Sequence, residues 1–108
     1  MSVVRVQTVA ELQAELDQQP YSLVTFSALA WCVPCQRFNP HMTAAAEALP
    51  DIKFIEVDAD TAPELVNYYD IQTVPTVKFF NNGTSESIVE RTALPLIKAL
   101  RERTGLVN

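Results

Sequence analysis

Glycine is scarce here, at two residues in 108, and no stretch is repeated or low in complexity, so a collagen-like array or a disordered chain is excluded. Long apolar runs are missing too. Nothing approaches the length needed to cross a bilayer, and Met1 to Thr8, with Arg5 set among valines, lacks the basic-then-apolar pattern of a secretory leader. No composition shift marks a linker, so residues 1–108 are expected to form a single domain, soluble and cytoplasmic, with no membrane partner. A clustered basic face is also absent. The net charge is −5, and Arg5, Lys53, Lys78 and Arg91 stand far apart, which argues against direct nucleic-acid binding. Lys98, Arg101 and Arg103 do gather near the end, where positive charge suits the carbonyl end of a helix that Gly105 closes.

What the chain does have is apolar residues, 48% of the total, in alternating strand and helix patterns. Val3 to Val6 reads as a strand, and Thr8-Val9-Ala10-Glu11 forms a capping box for a helix reaching about Gln18. Leu23 to Phe26 is a short buried strand. Phe38, Met42, Ala45 and Leu49 then recur at helical spacing, which predicts a helix from Pro34 to Leu49, kinked by Pro40. Ile52 to Val57 is another strand. Thr61-Ala62-Pro63-Glu64 repeats the capping pattern for a short helix through Tyr69. Thr76 to Phe80 and Ser87 to Arg91 read as strands joined around Asn81-Asn82-Gly83, and a last helix runs from Ala93 to Arg103. Helices between the early strands imply parallel crossovers and the late hairpin implies an antiparallel edge. The class is therefore α/β, a central mixed sheet flanked by helices.

Both cysteines lie in Trp31-Cys32-Val33-Pro34-Cys35, between the second strand and the long helix. A zinc site needs four thiolate or imidazole ligands and the chain adds only His41, whose place on the flank of the helix stripe predicts solvent exposure. Packing as a small hydrophobe suits Cys35, which falls on the apolar stripe, but not Cys32. Cys32 is placed at the helix start, reachable by water, where free amides and the dipole favour a thiolate. Pro34 stiffens the turn at no cost in hydrogen bonding. The chemistry that follows is thiol-disulfide exchange, with an exposed attacker at Cys32 and a sheltered resolver at Cys35.

Trp31-Cys32-Val33-Pro34-Cys35 after a buried strand, with Thr73-Val74-Pro75-Thr76 before a later one and Asn-Gly beyond it, resembles the thioredoxin family over essentially the whole chain. The resemblance implies a thioredoxin fold in which Pro75 is cis and faces the dithiol. It also implies that Val74 offers backbone to a substrate while Trp31, Val33 and Pro34 complete the contact surface. The implied activity is reduction of protein disulfides by a monomer without cofactor, with a thioredoxin reductase as electron donor.

Several positions depart from the family pattern. Six residues before the first cysteine, where the family carries a buried aspartate, stands Phe26, and the accompanying lysine aligns with Phe54, so acid and base are both replaced by apolar groups. A slower resolving step is expected, because an apolar setting raises a thiol's pKa. Val33, Ala28 and Thr92 replace a glycine, a tryptophan and a groove glycine, changes expected to weaken docking of the reductase. No charged residue lies between the cysteines to favour the reduced thiolate, so the pair is expected to act as a reductant. Two other readings stand beside this one: a binding module of the same fold with an incidental dithiol, and a glutathione-dependent glutaredoxin.

Overall fold

Thr8 sets the first helix as expected: its side chain accepts the Glu11 amide while the Glu11 carboxylate accepts the Thr8 amide. The computed structural model describes residues 3–106; the ends of the expected 1–108 domain lie outside the described residues. In chain order the elements are β1 (Val3–Arg5), α1 (Val9–Leu16), β2 (Tyr21–Ser27), α2 (Val33–Ala48), β3 (Lys53–Asp58), α3 (Pro63–Tyr68), β4 (Thr76–Asn81), β5 (Thr84–Ser87) and α4 (Ala93–Thr104). This matches the expected order, with boundaries moved by one to three residues at most ends.

The five strands form one sheet in the order β1-β3-β2-β4-β5. β3 pairs in parallel with β1 and β2, whereas β4 runs antiparallel to β2 and β5. The mixed sheet expected from the crossovers and the hairpin is therefore present. Asn82 and Gly83 join β4 to β5 with φ of 51° and 88°, the positive values that a two-residue hairpin loop requires. Gly105, at φ 71°, ends α4 in the left-handed conformation.

Side chains alternate across the sheet into two cores. On one side Leu23, Phe54, Val77 and Phe79 pack under Phe38 and Met42 of α2 and Leu96 and Leu100 of α4. On the other, Val24, Phe26, Ile55, Val57 and Phe80 pack against Leu12 of α1 and Leu65 of α3. Each fully buried Phe or Leu contributes on the order of 2 kcal/mol, so both faces hold the sheet in place beneath α2.

Three local expectations are corrected. β5 covers Thr84–Ser87 and not Ser87–Arg91: Ile88 still donates to the Val77 carbonyl, and beyond it the Arg91 guanidinium donates to the Ile88 and Glu90 carbonyls of its own segment rather than extending the ladder. Thr61 does not cap α3. The cap residue is Ala62, with no side-chain hydrogen bond, while the Thr61 hydroxyl faces the Asp58 carbonyl and the Gln7 amide. His41 is half-buried rather than exposed, because its Nδ1 accepts the Ala93 amide at the start of α4. α2 continues past Pro40 as a single helix.

Candidate redox site

β2 is the middle strand of the sheet, and it delivers the chain into the turn that carries the cysteines. Within that turn the amides of Trp31 and Cys32 both donate to the Ala28 carbonyl, at 3.2 and 2.9 Å. The Gln36 side chain donates to the Leu29 carbonyl at 2.8 Å, tying the turn to the first turn of α2. Cys32 is the N-cap of α2, and its Sγ accepts the Cys35 amide at 3.1 Å, satisfying one of the free donors of the helix start. Pro34 sits in the first turn, where its missing amide leaves no partner unsatisfied.

The two sulfurs are bonded: S–S is 2.32 Å, χ3 is 76° and the Cα atoms are 5.2 Å apart. Cys35 takes its expected place on the inner stripe at 1% exposure, and its Sγ accepts the Ala28 amide at 3.5 Å. The expectation that Cys32 is open to water is corrected, since it is 4% exposed. With the bridge closed, Cys32 packs with Ala28 and Cys35, and Leu29 and Val74 lie against the same cluster. The exposure belongs instead to the neighbours, Trp31 at 62% and Val33 at 50%, so an apolar rim surrounds a nearly covered disulfide.

The Val74-Pro75 bond is cis, in agreement with the family resemblance, and the Val74 carbonyl oxygen lies 3.7 Å from Cys32 Sγ. The expected residues Trp31, Cys32, Val33, Pro34, Cys35, Val74 and Pro75 thus meet at the end of β2 and the start of α2. Asp60, beyond the end of β3, was missed by the motif reading. Its carboxylate oxygens accept the Trp31 indole N–H at 3.0 and 3.2 Å and fix the ring on the rim. A shallow cleft beside that ring is walled by Val66, Ile71, Thr73 and Val74.

The placement of Phe26 and Phe54 is also corrected. Phe26 lies opposite Val57 and points into the α1/α3 core, with Tyr69 at 5.9 Å, whereas Phe54 lies opposite Leu23 in the α2/α4 core. They share no face, so they do not replace an acid–base pair. Beyond Leu23, the β2 residues on the side of α2 are Thr25 and Ser27, and Thr25 stands opposite Glu56 of β3. Counting six positions back from the cysteine lands on the wrong face because strand alternation reverses with each residue.

Three comparisons bear on this geometry. Residues 3–102 match the family model described as thioredoxin. A thioredoxin of Ophiophagus hannah is 36% identical over 75 residues, 68% of this chain and 70% of that protein. A Gallus gallus thioredoxin is 36% identical over 76 residues, 68% of this chain and 71% of that protein. Among solved structures, thioredoxin from Trypanosoma brucei brucei aligns with a TM-score of 0.83 at 28% identity, covering 96% of this chain and 92% of that one.

Proposed function

The chain belongs to the thioredoxin family of protein-disulfide oxidoreductases, and from that premise we propose that its Cys32/Cys35 pair works in the reducing direction on protein disulfides. Cys32 is the nucleophile and Cys35 the resolver. The carrying observation is the helix-start geometry. The Cys35 amide that donates to Cys32 Sγ is placed to stabilise a Cys32 thiolate once the bridge is reduced.

In the first step the Cys32 thiolate attacks one sulfur of the substrate, forming a mixed disulfide and releasing the other substrate sulfur as thiolate. In the second, Cys35 attacks Cys32 Sγ, the internal bridge closes, and the remaining substrate sulfur leaves. Two electrons pass from the dithiol to the substrate. Trp31, Val33, Pro34, Val74 and Pro75 hold the substrate chain, a role supported by their convergence around the bridge and by the exposure of Trp31 and Val33. The remaining parts of the reading are a thioredoxin reductase as electron donor, a monomer as the working form, and the cytoplasm as the compartment. Among the described residues no helix is long and apolar enough to cross a membrane.

Turnover of insulin disulfides with dithiothreitol tests the activity: native protein is expected to accelerate precipitation of the insulin B chain and Cys32→Ser to lose that acceleration. Cys35→Ser is expected to accumulate the mixed disulfide. Equal rates for native protein and Cys32→Ser would overturn the assignment.

A further inference from the structure

Resolution of a mixed disulfide requires the Cys35 thiol to lose its proton in a place sealed from bulk water. Cys35 is 1% exposed, and its cluster of Ala28, Cys32, Leu29 and Val74 offers no side-chain base. Phe26 faces the other side of the sheet. On the α2 side the buried ionisable group is Glu56, at 5% exposure. Its Oε1 accepts from Arg5 Nε at 3.0 Å, whereas its Oε2 is buried with no protein partner. Directly across the strand pair, the Thr25 hydroxyl is likewise buried without a partner. Two adjacent orphaned polar groups carry a desolvation cost that this fold retains.

Glu56 also lines two clefts. One, of about 300 Å³, is walled by Ser27, Leu29, Asp58 and Thr61 together with Arg5. The other, of about 480 Å³, opens toward Asn39, Thr43 and Glu47. Ser27 and Leu29 flank Ala28, whose amide donates to Cys35 Sγ. The first cleft therefore runs from the exposed Arg5 edge to Ser27 and Leu29, on either side of the residue whose amide meets the resolving sulfur. Its wall includes the polar side chains of Gln7, Ser27, Glu56, Asp58 and Thr61, and it is large enough for several waters.

We propose that Glu56, through water in this cleft, accepts the Cys35 proton during resolution, an inference that rests on the reductase reading above. The Cys35 S–H bond breaks and the Cys35–Cys32 bond forms. The Cys32–substrate bond breaks, and the substrate sulfur leaves with the bonding pair and takes a proton from solvent. The proton held by Glu56 returns to bulk water past Arg5. The titratable groups that share the two clefts with Glu56 are Arg5 of β1, Glu47 of α2 and Asp58 of its own strand.

The test uses reduced full-length protein and an aromatic disulfide that releases one coloured thiolate when Cys32 attacks and a second when Cys35 resolves, followed from about pH 5 to about pH 9. For Glu56→Gln the first release keeps the native rate. The second slows on the order of tenfold near pH 7, and the gap closes as hydroxide takes over the proton at the alkaline end. An unchanged second release, or an equal slowing of both releases, would overturn the proposal. Failure of native protein to give the first release would instead sink the reductase reading. Should Glu56→Gln fail to fold, infrared difference spectra of native protein labelled at glutamate carboxyls decide the matter. A carboxyl band that changes between the oxidised and reduced states, and that Arg5→Ala shifts, is expected; identical spectra in the two states would overturn the proposal.

Discussion

His41 Nδ1 accepts the backbone N–H of Ala93 at 3.0 Å, so a side chain of α2 caps the first turn of α4. Thr92, the N-cap by position, makes no side-chain cap bond. His41→Ala is expected to cost about 1 kcal/mol, the usual value of a lost cap, and His41→Asn, which retains an acceptor, to cost less. Urea unfolding near neutral pH measures both.

Phe26 is fully buried with Tyr69 and Phe80 on the α1/α3 side, so Phe26→Asp places an acid among aromatic rings rather than beneath Cys35. The expected outcome is a loss of about 4 kcal/mol or more, with no gain in the rate at which Cys35 resolves a mixed disulfide. A faster resolving step in stopped-flow measurements would contradict the face assignment.

Asp60 holds the Trp31 ring by its indole N–H, and Trp31 is the sole tryptophan. Asp60→Ala should free the ring, shift its fluorescence to the red and raise KM for a protein disulfide by roughly threefold, with kcat little changed, because only positioning is lost. Stability should fall by less than about 1 kcal/mol, as for other exposed polar contacts.

Tyr69 has its phenol pushed above the ordinary range, first by burial and second by Tyr68. The folded state therefore prefers the neutral phenol. Its contribution is fully present below the ordinary phenol range, near about 10, and is lost as pH rises through the raised value. Tyr69→Phe keeps the ring contacts with Phe26 and Phe80. It should show a smaller drop in urea midpoint between about pH 9 and about pH 11 than the native protein does.

The features legible in the sequence were those written locally. Thr8 with Glu11, Asn82-Gly83 and Gly105 each act over three or four residues, and the structure uses all of them as expected. The cysteine pair was legible for the same reason: a Pro-bearing first turn after a buried strand places Cys32 at the cap and Cys35 on the inner face. What escaped depends on neighbours distant in sequence. The covering of Cys32 comes partly from Val74, the cap of α4 from His41, and the anchor of Trp31 from Asp60. Thr61 looked like a cap, but its hydroxyl was claimed by Gln7 and Asp58. The role given to Phe26 and Phe54 failed because it relied on counting, whereas the face of the sheet decides which residue lies under α2.

β2 has a hydrogen-bonded neighbour on each side, β3 and β4, while β5 at the rim is exposed along its whole length. Amide protons at the rim are expected to exchange through local fraying, and those of Thr25 and Phe26 only through larger openings of the sheet. The loop bearing the sulfurs is thus moored to the strand at the centre of the sheet. Partners that tug on Trp31 or Val33 during catalysis meet a base that yields last.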